Sequence, residues 1–154
     1  MKKFLGNTNL ILAVIITACF FLFLPGFFTY FHQDDFIHLS YSQNLQQVIS
    51  AFNIIQKGEF PFYRPIPTQL YFFVNKTIFG LNPIGFHLEN FFIYTLNILL
   101  VYRLAKLVSK NKIISAVAVI FFAINSTHFA PLYSPAYVHE LFYVLFGVLT
   151  LDNY

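Results

Sequence analysis

Charge is scarce in this sequence. Only 10% of the residues are Asp, Glu, Lys or Arg and 58% are hydrophobic, whereas a soluble domain carries about 25% charged residues. That balance excludes an ordinary water-soluble fold. Cysteine is nearly absent too: Cys19 stands alone, which excludes a disulfide framework or a thiolate metal site within one chain. No HExxH or related zinc spacing occurs, and no internal repeat or low-complexity tract suggests a solenoid. Tryptophan is missing, yet there are 22 Phe and 10 Tyr. A fold of this size cannot hide so much aromatic surface from water, so the lipid bilayer is the expected solvent. The net charge of +3 does not imply a nucleic-acid partner, because the basic residues cluster in short segments beside apolar runs and form no basic face.

The first apolar run, 10–30, has the length of a membrane span. Lys2 and Lys3 precede it, as in a secretory signal, but the core is too long for one and no small-x-small cleavage site follows. Ile16-Thr17-Ala18-Cys19 resembles a lipoprotein cleavage box, yet Phe20 to Leu24 stay apolar where a mature N-terminus turns polar. An uncleaved span is therefore expected, with Pro25 and Gly26 near its far end as a kink. A polar loop, 31–83, follows. Within it, Ile37, Tyr41, Leu45, Val48 and Phe52 recur at helical spacing, predicting one amphipathic helix over 36–55; a second is predicted over 66–79. Both are too short to span and fit the membrane interface. Between them the proline-rich stretch 58–67 reads as extended. Further spans are predicted at 84–107, 113–126 and 137–154. The expected fold is an all-α, polytopic membrane helical bundle of about four transmembrane helices, with two interfacial helices in its first loop. The last helix is cut short by the chain end, which reads as the N-terminal fragment of a larger module.

Lys2, Lys3 and the cluster Arg103, Lys106, Lys110 and Lys112 flank three spans on one side. The positive-inside rule puts that side, and the N-terminus, in the cytoplasm, with 31–83 and 127–137 outside. Asp34 and Asp35 then lie at the outer end of the first span, where carboxylates are costly without partners or work. One reading is an acid/base or metal site at the membrane surface; the other is a pair of helix caps or solvated residues. Adjacent side chains diverge, so one of the pair could react while Asp35 caps the following helix. Arg64, held among aromatic residues and prolines, suits phosphate recognition through forked hydrogen bonds, or equally contact with headgroups or Glu59. His87, Asn90, Tyr94 and Asn97 form a polar stripe; hydrogen bonding between helices is the usual reason, and His87 could alternatively line a substrate cavity. His139 and Glu140 bring a second carboxylate to the side of Asp34, so that two carboxylates could share a divalent cation or divide acid and base roles.

The order of these features is similar to a known family. An acidic pair, HQDDF, is followed by a long loop and then YRPIPTQLYFFVNKTIFGLNPIGFHLENFFIYTLNILLVYRLAK. This resembles the N-terminal part of polytopic glycosyltransferases of the GT-C fold, in particular bacterial membrane proteins related to protein O-mannosyltransferases and to transmembrane, tetratricopeptide-containing mannosyltransferases. The shared pattern is an acidic pair after the first span, then YRP, FGLNP and GxH. It covers 34–107 well and 113–150 more loosely, where SPAYVHE keeps Glu140 but changes what precedes it. The resemblance implies sugar transfer from a polyprenyl-phosphate donor to an acceptor on the outer face of a bacterial plasma membrane. It implies Asp34 as general base, Asp35 as orienting group, Arg64 at the donor phosphate, and Glu140, with His139 and His87, as further substrate contacts. A lipid or solute transporter component is the alternative, although a transporter should hold its ionisable groups near the midplane. A non-catalytic membrane scaffold is the third reading.

Overall fold

The computed structural model describes residues 8–53 and 63–152. Lys2, Lys3, Glu59 and the first half of the proline-rich stretch lie outside them. Every regular element among the described residues is helical: α1 (Thr8–Phe23), which tightens into a 3-10 turn (Leu24–Phe28); α2 (Asp34–Ser40); α3 (Leu45–Ala51); a π-helical turn (Ile66–Leu70) leading into α4 (Tyr71–Phe79); α5 (Pro83–Ser109); α6 (Lys112–Ala123); a 3-10 turn (Ser126–His128) leading into α7 (Phe129–Tyr133); and a 3-10 turn (Pro135–Tyr137) leading into α8 (Val138–Asp152).

Local chemistry explains the boundaries. Pro25 has no N–H to give the preceding turn, so α1 rewinds as a 3-10 helix at the predicted kink. Gly26 packs so closely on α7 that a Cβ there would stand 2.8 Å from the Leu132 carbonyl oxygen. Gly80, at φ 64°, ends α4. Asn82 then caps α5 by accepting from the Ile84 N–H at 3.1 Å, with Pro83 in the first turn. Asn111 restarts the chain as α6, accepting from the N–H groups of Ile113 and Ile114.

α5 is the central post, and its polar stripe holds the bundle together. His87 Nε2 lies 3.1 Å from both the hydroxyl and the carbonyl oxygen of Thr29, whose hydroxyl also reaches the Tyr133 carbonyl at 3.0 Å. Asn90 donates to the Pro131 carbonyl at 2.6 Å and accepts from the Tyr71 hydroxyl at 2.6 Å. Tyr94 donates to the Ala123 carbonyl at 2.5 Å, and Asn97 to the Leu141 carbonyl at 2.9 Å. All four side chains are buried. Cys19 is buried against the Tyr94 hydroxyl at 3.4 Å. Asn90→Leu would leave the Pro131 carbonyl and the Tyr71 hydroxyl without these partners. It is expected to lower stability by about 1–3 kcal/mol, read as a lower melting temperature in detergent beside an exposed Phe92→Leu control.

One prediction about the elements is corrected. The single helix over 36–55 is broken at Tyr41–Asn44. There the Ser42 hydroxyl bonds the His38 carbonyl at 2.8 Å, and Asn44 caps a new helix by accepting from the Gln47 N–H at 2.9 Å. Polar side chains offer the backbone an alternative to helix, and the Gln47 amide oxygen returns to the Gln43 N–H at 2.8 Å in the manner of a capping box. Of the predicted apolar face, Ile37, Leu45 and Phe52 are exposed and Val48 is buried; Leu39, outside that face, is buried too. The predicted spans are matched in part. Thr8–Phe28 and Pro83–Ser109 are long and apolar enough to cross a membrane; Lys112–Ala123 and Ser126–Tyr133 qualify only together, across a 48° bend, and Pro135–Leu151 is a shorter apolar helix. The described residues thus hold two such helices, or three with the bent pair. The break follows from Asn125, whose side chain accepts from the Thr127 N–H at 3.0 Å and starts a new turn.

Candidate functional site

The two neighbouring aspartates have different fates. α2 starts with both in its first turn, where a helix N-terminus favours negative charge. Asp35 turns inward and is fully buried. One carboxylate oxygen accepts from the Ser134 hydroxyl at 3.0 Å and the Ala136 N–H at 2.7 Å; the other accepts from the His32 N–H at 3.1 Å, with the His32 ring nitrogen at 3.5 Å. Asp35 thereby clasps the end of the first span to the turn that opens α8. The Asp35 carboxylate is thus enclosed on its donors at the start of α2, where the sequence reading has it cap or orient, while its neighbour faces outward. Asp34 is exposed.

One helical turn beyond Asp34 stands His38. Its ring lies over Phe72, with centroids 5.1 Å apart, and it is within electrostatic reach of Asp34, Asp35, Arg64 and His139. The half-buried Arg64 guanidinium lies 5.9 Å from the Tyr143 ring centroid, and the His139 ring lies 5.5 Å from the same ring. Such a cation–aromatic arrangement holds the guanidinium in one orientation. His139 Nδ1 reaches the Ala136 carbonyl at 3.2 Å, and half-buried Glu140 is close enough to act on His139 electrostatically. The rim therefore gathers groups from α2, the segment at 64 and the first turns of α8. Asp35 fastens two of those elements together. Thr68 fastens the third locally, its hydroxyl bonding the Arg64 carbonyl.

Of the residues singled out from the sequence, Asp34, Arg64 and His139 all act electrostatically on His38, and Glu140 acts on His139. His87 does not: it is 1% exposed and joins Thr29 within the bundle, so the cavity-lining reading gives way to the helix-bonding one. Sequence reasoning missed His38 and Tyr143. The signals were the four-residue spacing from Asp34 to His38 and from His139 to Tyr143, which puts each pair on one helix face.

No family model, curated protein or solved structure matches the chain. Among the described residues, no three His, Cys, Asp or Glu side chains are grouped to hold a metal ion, so the divalent cation considered from the sequence lacks a ligand set there.

Burial pushes the His38 pKa below the usual histidine value, while the nearby Asp34 and Asp35 charges oppose that shift and those of His139 and Arg64 add to it. A depressed folded-state pKa means that the unfolded chain takes up a proton first. The stability contributed by neutral His38 is thus present above about pH 6.5 and is lost as pH falls through its folded value. His38→Gln is expected to flatten the fall in melting temperature between neutral pH and about pH 5. An unchanged slope would remove His38 from the acid response.

Proposed function

We propose that the protein is a glycosyltransferase-like membrane enzyme, moving a sugar from a polyprenyl-phosphate donor to an acceptor hydroxyl at the rim that carries Asp34. The observation that carries this reading is that Arg64, His139 and the exposed Asp34, drawn from segments far apart in sequence, all act electrostatically on His38 at one end of an apolar bundle. In this reading the rim faces away from the cytoplasm, and α8 is the beginning of a further span.

The chemistry divides among the rim residues. The Asp34 carboxylate takes the proton of the acceptor hydroxyl as its oxygen attacks the anomeric carbon, and the configuration there inverts. The new carbon–oxygen bond forms as the bond to the donor phosphate breaks, and the phosphate leaves with that electron pair. Arg64 forks onto the phosphate oxygens, and the two histidines add N–H donors where charge develops. Asp35 keeps α2 and the start of α8 in register so that these groups stay aligned.

The reading is tested by incubating membranes containing the protein with a radiolabelled polyprenyl-phosphate hexose and following label in the lipid and water-soluble or protein fractions. Transfer that depends on the protein supports it. Hydrolysis and transfer no greater than in membranes lacking the protein would sink it.

A further inference from the structure

The opposite end of the bundle is basic and has a feature of its own. Tyr102, Arg103, Lys106 and Leu107, near the end of α5, line a shallow cavity of about 370 Å3. Its floor is fixed: Tyr102 is buried and its hydroxyl donates to the Thr8 hydroxyl at 3.3 Å. Lys110 and Lys112 follow at the same end, and the sequence has no acidic residue between Glu89 and Glu140. Beside the cations stand exposed apolar side chains, Leu107 and Val108. At 27 residues, α5 is about 40 Å long, more than a hydrocarbon core of about 30 Å, so its terminal turns reach headgroup depth.

We propose that this cavity binds an anionic glycerophospholipid of the adjoining leaflet. Arg103 forks onto the phosphodiester oxygens and Lys106 adds a second cation from the next turn of the same helix. Tyr102 and Leu107 take the glycerol and first acyl methylenes. The mixed lining selects a lipid over free phosphate, because half of the lining residues present ring or aliphatic surface. Each basic residue near an anionic surface contributes about 1 kcal/mol, so removing the pair should lower retention about tenfold or more.

Native mass spectrometry of the whole protein, in detergent with equimolar phosphatidylglycerol and phosphatidylcholine, tests this. Wild type is expected to keep phosphatidylglycerol about tenfold over phosphatidylcholine, and R103Q/K106Q to lose the preference. K110Q/K112Q removes the same charge outside the cavity and is expected to keep most of it. Equal loss in the two double variants would reduce the effect to diffuse surface charge and overturn the site. So would full retention by R103Q/K106Q, no lipid preference in wild type, or displacement of the lipid by glycerol phosphate at equal concentration. If R103Q/K106Q fails to fold, R103K decides: it keeps the charge, loses the fork, and is expected to weaken retention several-fold, whereas unchanged retention overturns the proposal.

Discussion

Asp34→Asn is expected to reduce sugar transfer by about 10²–10⁴-fold, the usual contribution of a positioned general base, while leaving melting temperature within experimental scatter. The split follows from the geometry. The side chain is exposed, so the bundle does not lean on it, and surface substitutions of this kind rarely move stability by more than about 0.5 kcal/mol. The amide keeps the shape but cannot take a proton from the acceptor hydroxyl. Donor binding, read as KM, should change little, because the phosphate contacts belong to Arg64 and the histidines. Wild-type transfer by the variant would remove Asp34 from the chemistry.

Asp35→Ala should instead cost stability, about 3 kcal/mol or more, read as a lower melting temperature, with transfer falling at least as far as the folded population because the rim groups also lose their register. The deletion strands the Ser134 hydroxyl and the N–H groups of Ala136 and His32, and hydrogen bonds to a charged partner are worth about 1.5–3 kcal/mol each when buried. Asp35→Asn restores one acceptor oxygen and should recover part of the loss. A melting temperature equal to wild type for Asp35→Ala would show that the clasp does not hold the two segments.

The contrast between these neighbours marks the limit of what was legible in the sequence. Helix periodicity, the turn at Gly80–Pro83 and the polar stripe from His87 to Asn97 were readable because their causes are local: a φ only glycine favours, a capping Asn, and polar groups three or four residues apart in an apolar helix. The break at Tyr41–Asn44 had a local signal as well, the polar run Ser42-Gln43-Asn44 that caps a new helix, but the apolar repeat running across it masked that signal. The third apolar run was legible as a short helix, and the bend beyond it follows from Asn125, whose side chain caps a new turn. The Asp34–Asp35 pair was ambiguous because Ser134 and Ala136, the partners that single out Asp35, lie about a hundred residues away in sequence. His38 had a local signal, its place one turn from Asp34, but its approach to Arg64 and His139 depends on the same long-range clasp.

The account stands on the rim groups sharing one face of the membrane while the basic cluster occupies the other. Membrane-impermeant maleimide labelling of single cysteines in a Cys19→Ser background tests that most directly, using the exposed positions Asp34→Cys, Tyr137→Cys and Lys110→Cys. In intact cells the first two should label and the third only after lysis. Labelling of Asp34→Cys and Tyr137→Cys from opposite sides would contradict the site itself.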